Sequence, residues 1–420
     1  MKKNLTKSKI FVMMFLEVRF MEKLVERIEY LENLKKWREK DVIKVVTGVR
    51  RSGKSTLFNL YIAYLKSIGV NENQIIHINL EDVEFEQLHH YKALHKYIVS
   101  KLAKNQWTYV FIDEVQTCID FEKAIDGLYV KKNVDVHITG SNAFMLSGEL
   151  ATLLSGRYVE IKMLPFSFTE FSQSSKEADP KKRFYDYLNF GSFPIVSTIY
   201  HDIEQHDQYL EGVYNTILLK DIATRNHIHD ITLLKNIIKF LCSNVGSRVS
   251  TANITKTLAK SGRKITQKTV DSYVKALTDC YLFYFVERYN IKGKNLLKTL
   301  GKYYIVDTGL RNHLLMAENL DIGHQIENVV FLELLRRGYR VNIGKLDDSE
   351  IDFVASKTNT KAYYQVSASV LDEKVLQREL SPLRRTKDEY PKFLLTLDDF
   401  EGNHEGIQQV NLIDWLWREQ

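Results

Sequence analysis

The motif Gly-Val-Arg-Arg-Ser-Gly-Lys-Ser at residues 48–55 constrains the fold of this chain more than any other feature. It matches the pattern GxxxxGK[ST], in which backbone N–H groups surround phosphate oxygens. An apolar run, 42–47, precedes the motif, and a segment with helical periodicity, 55–67, follows it. A helix that begins here points the positive end of its dipole at the phosphates. The sequence therefore predicts a strand–loop–helix unit that binds a nucleoside triphosphate, ATP, with Mg²⁺.

Each polar position of the motif has an expected role. Lys54 is expected to reach the β- and γ-phosphates, and the Ser55 hydroxyl to ligate Mg²⁺. One of the two arginines of the loop is expected to contact phosphate. The nucleotide-binding residues predicted from the motif are Gly48, Val49, Arg50, Arg51, Ser52, Gly53, Lys54, Ser55 and Thr56.

Two carboxylates end a second apolar run, Tyr-Val-Phe-Ile-Asp-Glu at 109–114. Asp113 stands where Mg²⁺ is held in phosphate-transferring enzymes. Glu114 points in a different direction because strand side chains alternate, and it is the expected general base for the attacking water. Together with the phosphate loop, these acids indicate hydrolysis of the bound nucleotide.

Strands and helices alternate along the first part of the chain, with predicted strands at 43–47, 75–79, 109–112, 136–139 and 158–163. This alternation predicts an α/β fold with a parallel sheet covered on both faces. The strand at 136–139 is expected beside the Asp113 strand and ends in Ser141 and Asn142. Either residue is placed to position water or to sense the γ-phosphate. Arg157 is a further candidate, either to neutralise transition-state charge within the chain or in a neighbouring subunit, or to form a surface salt bridge.

Composition excludes several classes of protein. The 420 residues are 44% hydrophobic and 27% charged, which is typical of a globular chain and not of a disordered one. The three cysteines, with no CxxC, predict neither a disulfide framework nor a zinc site and fit a reducing cytoplasm. The basic and apolar start, residues 1–20, resembles a signal peptide but is interrupted by Glu17 and Arg19. We expect a disordered or mis-assigned start and no stable membrane insertion, and a weak membrane tether is the alternative.

Positive charge is concentrated in one segment. Between Lys235 and Lys302 there are 14 Lys or Arg and 3 Asp or Glu, a net charge of +11, whereas the whole chain carries +6. Two predicted helices, a turn and two strand-like runs give the order of a winged helix–turn–helix. The expected DNA-contacting residues are Lys264, Lys268, Lys275, Lys292 and Lys294. The alternative is a small lid or protein-binding module whose charge is solvated.

Several short sequence segments resemble those of the prokaryotic AAA+ ATPases in which an AAA domain precedes a C-terminal domain of unknown function. They are residues 47–56, 111–116, 139–142, 155–158 and 164–171. The resemblance implies that Asp113 and Glu114 are the Walker B pair, Asn142 a sensor and Arg157 an arginine finger. It also likens Gly191-Ser-Phe-Pro194 to a turn near the nucleotide base. The expected units are an AAA+ core at 21–165, a helical lid at 166–225, a basic winged helix at 226–305 and a C-terminal domain at 306–420.

The C-terminal domain resembles a restriction-endonuclease-like core. Glu327 falls on a predicted helix, Asp352 on one strand and Gln365 on the next. In active members a lysine two residues after the last position supports the attacking water. Here that position is Ser367, and neither Lys361 nor Lys374 has the expected spacing. The resemblance therefore implies a nuclease-like domain that does not cleave.

The sequence as a whole predicts an ATPase that couples nucleotide state to DNA binding or sensing. A slow nucleotide switch with a protein partner is the first alternative. An ATP-dependent nuclease is the second, disfavoured by the lysine position. Self-association is compatible with each of these hypotheses.

Overall fold

The computed structural model describes residues 25–143, 154, 156–260, 265–316, 321–358 and 360–418. The start at 1–20, predicted to be disordered or mis-assigned, and the candidate Lys264 lie outside these residues. Within them, no helix is long and apolar enough to cross a bilayer.

A five-stranded parallel sheet forms the first half of the protein, in the order β2-β3-β4-β1-β5. Its strands are β1 (Ile43–Thr47), β2 (Ile75–Asn79), β3 (Thr108–Asp113), β4 (Val134–Gly140) and β5 (Tyr158–Lys162). The predicted α/β fold and the predicted neighbourhood of β3 and β4 are confirmed. Every residue of β1 and β3 is buried, which explains why the two strands are apolar runs without alternation.

Helices cover both faces of this sheet. They are α1 (Ile28–Lys36), α2 (Lys54–Ser67), α3 (Tyr91–Ser100) and α4 (Phe121–Tyr129). The α1 and α2 side chains pack on one face against Val46 and Phe111, and those of α3 and α4 on the other against Val45 and Ile112. The arrangement fixes the carboxyl ends of β1, β3 and β4 at one edge, where polar residues can gather.

A helical segment follows the sheet, as the sequence predicts. It comprises α5 (Phe168–Ser174), α6 (Pro180–Phe190), α7 (Val196–Ile199), α8 (Ile203–Thr216), a π-helical segment (Ile217–Thr224), α9 (Ile231–Ser243), α10 (Thr251–Ala259) and α11 (Gln267–Asp279). Side-chain caps begin several of these helices. Ser250 accepts a hydrogen bond from the Asn253 N–H at the start of α10, and Thr266 accepts one from Thr269 at the start of α11.

The second sheet is mixed, with the order β12-β13-β11-β10-β9-β8-β6-β7. Its strands are β6 (Phe283–Asn290), β7 (Asn295–Ile305), β8 (Arg340–Leu346), β9 (Ser349–Lys357), β10 (Thr360–Val366), β11 (Lys392–Thr396), β12 (Gly402–His404) and β13 (Ile407–Asn411). Its helices are α12 (Thr308–Leu315), α13 (Ile322–Arg336), α14 (Glu373–Arg384) and α15 (Leu412–Trp417). The second α/β unit predicted from the sequence is therefore present.

The predicted boundary near residue 305 does not separate two sheets. The hairpin β6–β7 follows α11 as the wing of a winged helix would, but β6 also pairs in parallel with β8. One buried apolar cluster extends from Leu164 through α9 and α11 to Leu416. Because the hairpin belongs to both units, the basic segment and the C-terminal unit share a sheet and a core.

Candidate nucleotide-binding site

The phosphate loop lies at the carboxyl end of β1, as the motif requires. Two of its glycines have positive φ, 149° at Gly48 and 99° at Gly53. A Cβ on Gly48 would lie 2.1 Å from the Met163 carbonyl oxygen, so only glycine lets the loop pack against the end of β5. The first residue of α2 is Lys54, and the exposed Ser55 follows it. The loop therefore has the strand–turn–helix setting predicted for phosphate binding.

Lys54 is buried and folded back onto its own loop. Its Nζ donates to the carbonyl oxygens of Gly48 at 3.0 Å and Val49 at 3.1 Å, and it lies 3.8 Å from Glu114 Oε1. Burial lowers the pKa of Lys54, and the negative charge of Glu114 opposes that shift. The ammonium is thus held beside the phosphate loop by weak acceptors that a phosphate can replace.

The two carboxylates at the end of β3 face different partners. Asp113 is buried, its Oδ1 accepts a hydrogen bond from the Thr139 hydroxyl at 2.8 Å, and its Oδ2 lies 3.0 Å from His77 Nε2. Glu114 has left-handed backbone (φ 51°), and its Oε2 accepts a hydrogen bond from Gln116. The turn aims Glu114 at the phosphate loop, and the hydroxyl of Thr139 and the ring of His77 fix Asp113.

The donor set at this edge fits a magnesium ion. Asp113 offers a carboxylate and Ser55 a hydroxyl, which are the hard oxygen ligands that Mg²⁺ prefers beside phosphate oxygens. Within the described residues, no group of three or more His, Cys, Asp or Glu side chains could hold a metal without the nucleotide.

Residues from β4 complete the edge. Because Thr47 pairs with Gly140, the phosphate loop and the Ser141–Asn142 turn leave the sheet side by side. Both Ser141 and Asn142 are buried. The structure thus brings the sensor candidates to the phosphate loop.

The two arginines of the loop have different surroundings. Arg51 is exposed, with φ 68°. Arg50 is buried and donates to Asp221 at 2.9 and 3.2 Å and to Glu81 at 3.0 and 3.2 Å. The hydrogen bonds and charges of these two carboxylates raise the pKa of Arg50, and its own charge helps to lower the pKa of Glu81 to about 2. Sequence reasoning missed Asp221, although a carboxylate between Leu218 and Ile222 on an apolar stripe is a recognisable signal.

Arg27 connects the loop to the helical segment and was also missed. Its guanidinium donates to the Ser52 carbonyl at 3.0 Å, the Leu164 carbonyl at 2.6 Å and Glu170 at 2.8 Å. No motif surrounds this arginine in the sequence, so nothing in the pattern distinguishes it from a surface residue.

The Gly191–Pro194 turn reaches the same region. Pro194 Cγ lies 3.7 Å from the place a Cβ on Gly53 would occupy. Asp307 holds the turn by accepting hydrogen bonds from the Ser192 N–H at 2.6 Å and hydroxyl at 2.8 Å. Ser192 therefore has a structural role, and the turn lies against the phosphate loop.

Arg157 is not brought to this site. It immediately precedes β5, and its carbonyl accepts a hydrogen bond from Ile43 N–H at the start of β1. Its guanidinium pairs with Asp126 and lies over the Tyr129 ring. In a parallel sheet the residue before a strand lies at the edge opposite to the phosphate loop, so the role within its own chain is wrong. The surface salt bridge is the interpretation that the structure supports.

The candidate DNA-contacting lysines fall in two groups. Lys268 and Lys275 are exposed on α11, where Lys275 pairs with Asp279. Lys292 and Lys294 lie in the β6–β7 turn, where Lys292 pairs with Asp347. Asp279 belongs to the basic segment, whereas Asp347 lies outside it and neutralises charge that a count along the segment includes.

A buried ionic cluster occupies the C-terminal unit. Lys302 Nζ lies 2.8 Å from Glu327, 3.0 Å from Glu350 and 3.6 Å from Asp352. Burial and the charge of Glu327 raise the pKa of Asp352, whereas Lys302 opposes that shift. The lysine that contacts these acids comes from β7, an earlier part of the chain, and the expectation that the domain does not cleave stays a prediction. Of the lysines considered before, Lys361 packs among three tyrosine rings instead.

Comparison with known proteins agrees with this geometry. A family model described as an AAA domain matches residues 40–172, and one described as a domain of unknown function (DUF8612) matches residues 181–321. An uncharacterised protein of Haemophilus influenzae is 40% identical over 400 residues, which cover 94% of this chain and 98% of that protein. An uncharacterised protein of Methanocaldococcus jannaschii, MJ1544, is 27% identical over 392 residues, which cover 89% and 85%.

Two solved structures are similar at a lower level. AMPPCP-bound DnaA from Aquifex aeolicus is 14% identical with a TM-score of 0.31, covering 59% of this chain and 86% of that one. The Aeropyrum pernix ORC1 protein in complex with DNA is 13% identical with a TM-score of 0.28, covering 69% and 91%. The family rests instead on the matched AAA domain and the full-length bacterial relative. The chain belongs to the prokaryotic AAA+ ATPase family, in the group that joins an AAA domain to a domain of unknown function.

Proposed function

We propose that this protein hydrolyses ATP and couples the nucleotide state to DNA binding. The observation that carries the first half is the convergence of Lys54, Asp113 and Glu114 at the edge where β1 and β3 end. These are the three charges that attack of water on a γ-phosphate requires: a cation, a metal ligand and a proton acceptor.

Each residue has a defined task in the proposed reaction. Lys54 leaves its loop carbonyls and neutralises charge on the β- and γ-phosphates. Glu114, which already faces Lys54, accepts the proton of the attacking water. Ser55 and Asp113 would hold Mg²⁺, which supplies charge neutralisation at the phosphate oxygens. Asn142 is placed to orient the water or the γ-phosphate.

The experiment is steady-state ATP hydrolysis with Mg²⁺ by the full chain, by Lys54→Ala and by Glu114→Gln. We expect Lys54→Ala to lose binding and turnover. Glu114→Gln should keep ATP binding and lose about 10²–10⁴-fold in turnover, because only the proton acceptor is removed. Turnover that is unchanged in both variants would refute the assignment.

The second half of the proposal rests on exposed lysines of α10 and α11. Lys256 lies on α10, Lys260 directly follows it and Lys268 lies on α11, and all three are exposed on the two helices, or at the end of one, that a winged helix–turn–helix uses against DNA. Arg248, Lys292 and Lys302 pair with carboxylates of the C-terminal unit and contribute less positive potential than their number implies. The proposed contact surface is therefore narrower than the basic segment.

Salt-dependent DNA binding tests this surface. The triple variant Lys256→Gln, Lys260→Gln, Lys268→Gln should weaken duplex binding and lower the slope of log K against log salt by about 2–3. A matched control replaces the exposed Lys101, Lys131 and Lys132 of the AAA domain with Gln and should leave the slope unchanged. Two results would favour the slow nucleotide switch with a protein partner instead. One is ATP turnover that does not change when duplex or single-stranded DNA is added, and the other is salt-insensitive binding of a protein.

A further inference from the structure

The π-helical segment Ile217–Thr224 inserts a buried carboxylate beside the phosphate loop. Asp221 is 1% exposed, although it comes from the domain of unknown function and not from the AAA domain. Besides its two contacts with Arg50, its Oδ1 accepts a weak hydrogen bond from the Ser141 hydroxyl at 3.4 Å. Asp221 thus contacts both the phosphate loop and the end of β4. π-Helical turns are frequent at functional sites, which is consistent with a role for this one.

Arg50 anchors Asp221 and is not free to leave it. Its guanidinium is held by two carboxylates through four hydrogen bonds. Fork-shaped pairs of this kind combine charge with fixed geometry. Arg50 therefore keeps the π-helical segment attached to the phosphate loop.

Arg225 is held by the same carboxylate much more loosely. It follows the π-helical segment directly, its Nη2 is 3.5 Å from Asp221 Oδ1, and its Nη1 is 3.5 Å from Ser141 Oγ. Its side chain is 26% exposed, whereas that of Asp221 is 2% exposed. This guanidinium can change partner with little rearrangement.

We propose that Asp221 competes with the terminal phosphate of ATP for the guanidinium of Arg225. The inference rests on the proposed function, since it assigns a regulator to the same nucleotide site. Without nucleotide, the Asp221 carboxylate occupies the place of the phosphate anion and contacts Arg50, Ser141 and Arg225. When ATP binds, Arg225 exchanges its contact with Asp221 for one with the γ-phosphate. The segment that leads into α9 then keeps its contact with Arg50 and loses the one between Asp221 and Arg225. ADP, which lacks that phosphate, leaves the contact in place.

The affinities for AMPPNP and ADP with Mg²⁺, measured by displacement of a fluorescent ADP, test the proposal. Asp221→Asn should tighten AMPPNP binding about tenfold and leave ADP binding unchanged, because the competing charge is removed. The amide oxygen can still accept from Arg50, and Glu81 still holds that arginine, so the fold is retained. Arg225→Gln should weaken AMPPNP binding about tenfold without affecting ADP. In the double variant, Asp221→Asn should have no further effect.

Glu81→Gln is the matched control, since it also removes a carboxylate from Arg50. It should change the affinities for the two nucleotides by the same factor. Hydrogen exchange of residues 217–224 should respond to AMPPNP and not to ADP in the wild-type protein, and to neither in Arg225→Gln.

Three results would overturn the inference. These are an equal effect of Asp221→Asn on both nucleotides, an effect that survives in Arg225→Gln, and exchange that does not distinguish the nucleotides. A wild-type chain that binds neither nucleotide would refute the proposed function itself. Nucleotide binding without this selectivity would refute the competition alone.

Discussion

Replacing Lys302 with methionine removes the buried cation at the centre of the C-terminal cluster. The contacts with Glu327 and Glu350, at 2.8 and 3.0 Å, are each worth on the order of 5 kcal/mol of Coulomb attraction at an effective dielectric constant of about 20. Desolvation of the ammonium offsets most of this. Removing one partner of a buried pair typically costs about 3–5 kcal/mol, because the remaining charges stay buried and uncompensated. We expect a loss of that size in the free energy of unfolding near neutral pH.

The pH dependence of this loss identifies its cause. Burial and neighbouring charge already raise the pKa of Asp352 in the folded protein, and removal of Lys302, whose charge opposes that shift, should raise this pKa further. A folded state that binds more protons than the unfolded state gains stability as pH falls. Because the raised pKa of Asp352 is about 8, the deficit of Lys302→Met should shrink as the pH falls from 9 to 7. Urea titrations followed by tryptophan fluorescence give both values.

Lys275→Met is the control for the loss of a lysine. Lys275 is exposed and pairs with Asp279 at i,i+4, so its replacement should cost about 0.5 kcal/mol or less at either pH. A deficit in Lys302→Met that does not change with pH would refute the electrostatic reasoning. It would assign the loss to packing of the lysine stem.

Three further outcomes follow from the same structure. His137 is buried, which lowers its pKa from 6.5 to about 4, so wild-type stability should fall between pH 6.5 and 4 as the unfolded chain takes up the proton first; His137→Phe should flatten that dependence in urea titrations. Arg157→Ala should retain ATP turnover per chain within about twofold in dilute protein. A drop of a hundredfold would show that Arg157 takes part in ATP hydrolysis. Gly191→Ala would place a Cβ 2.4 Å from Asp307 Oδ1 at φ 91°, so it should cost about 1–3 kcal/mol of stability and weaken ADP binding as the Pro194 turn shifts; unchanged ADP affinity and stability would contradict this account of the turn.

The centre of the first sheet could be predicted closely because β1, β3 and all but the first residue of β4 are buried on both faces. A continuous apolar run such as Ile43–Thr47 has few alternative interpretations when a phosphate-loop motif follows it, and the observed β1 has the predicted bounds. The residues at the carboxyl edge of the sheet could be predicted from the direction of the parallel strands alone. The same reasoning argues against a role of Arg157 within its own chain, since a residue that precedes a parallel strand lies at the opposite edge, and its role in a neighbouring subunit stays a prediction.

Contacts between distant parts of the chain could not be predicted in this way. The pairing of β6 with β8 joins residues about fifty positions apart, and neither strand marks its partner by composition. Lys302 belongs by sequence to a basic segment and by structure to an acidic cluster. The charge of Lys302 was included in the net charge of the basic segment. A local sequence pattern does not reveal that its side chain is buried against carboxylates of the C-terminal unit.

The hairpin β6–β7 also limits how this protein can be divided or recombined. A fragment that ends at residue 305 leaves β6 without β8, and one that begins there leaves β8 with an unpaired edge. Exposed edges of this kind pair with other chains. The two units therefore cannot be exchanged separately between relatives without a new partner for the broken edge, and a chimera with its junction in the loop before β6 should express in better-ordered form than one cut after β7.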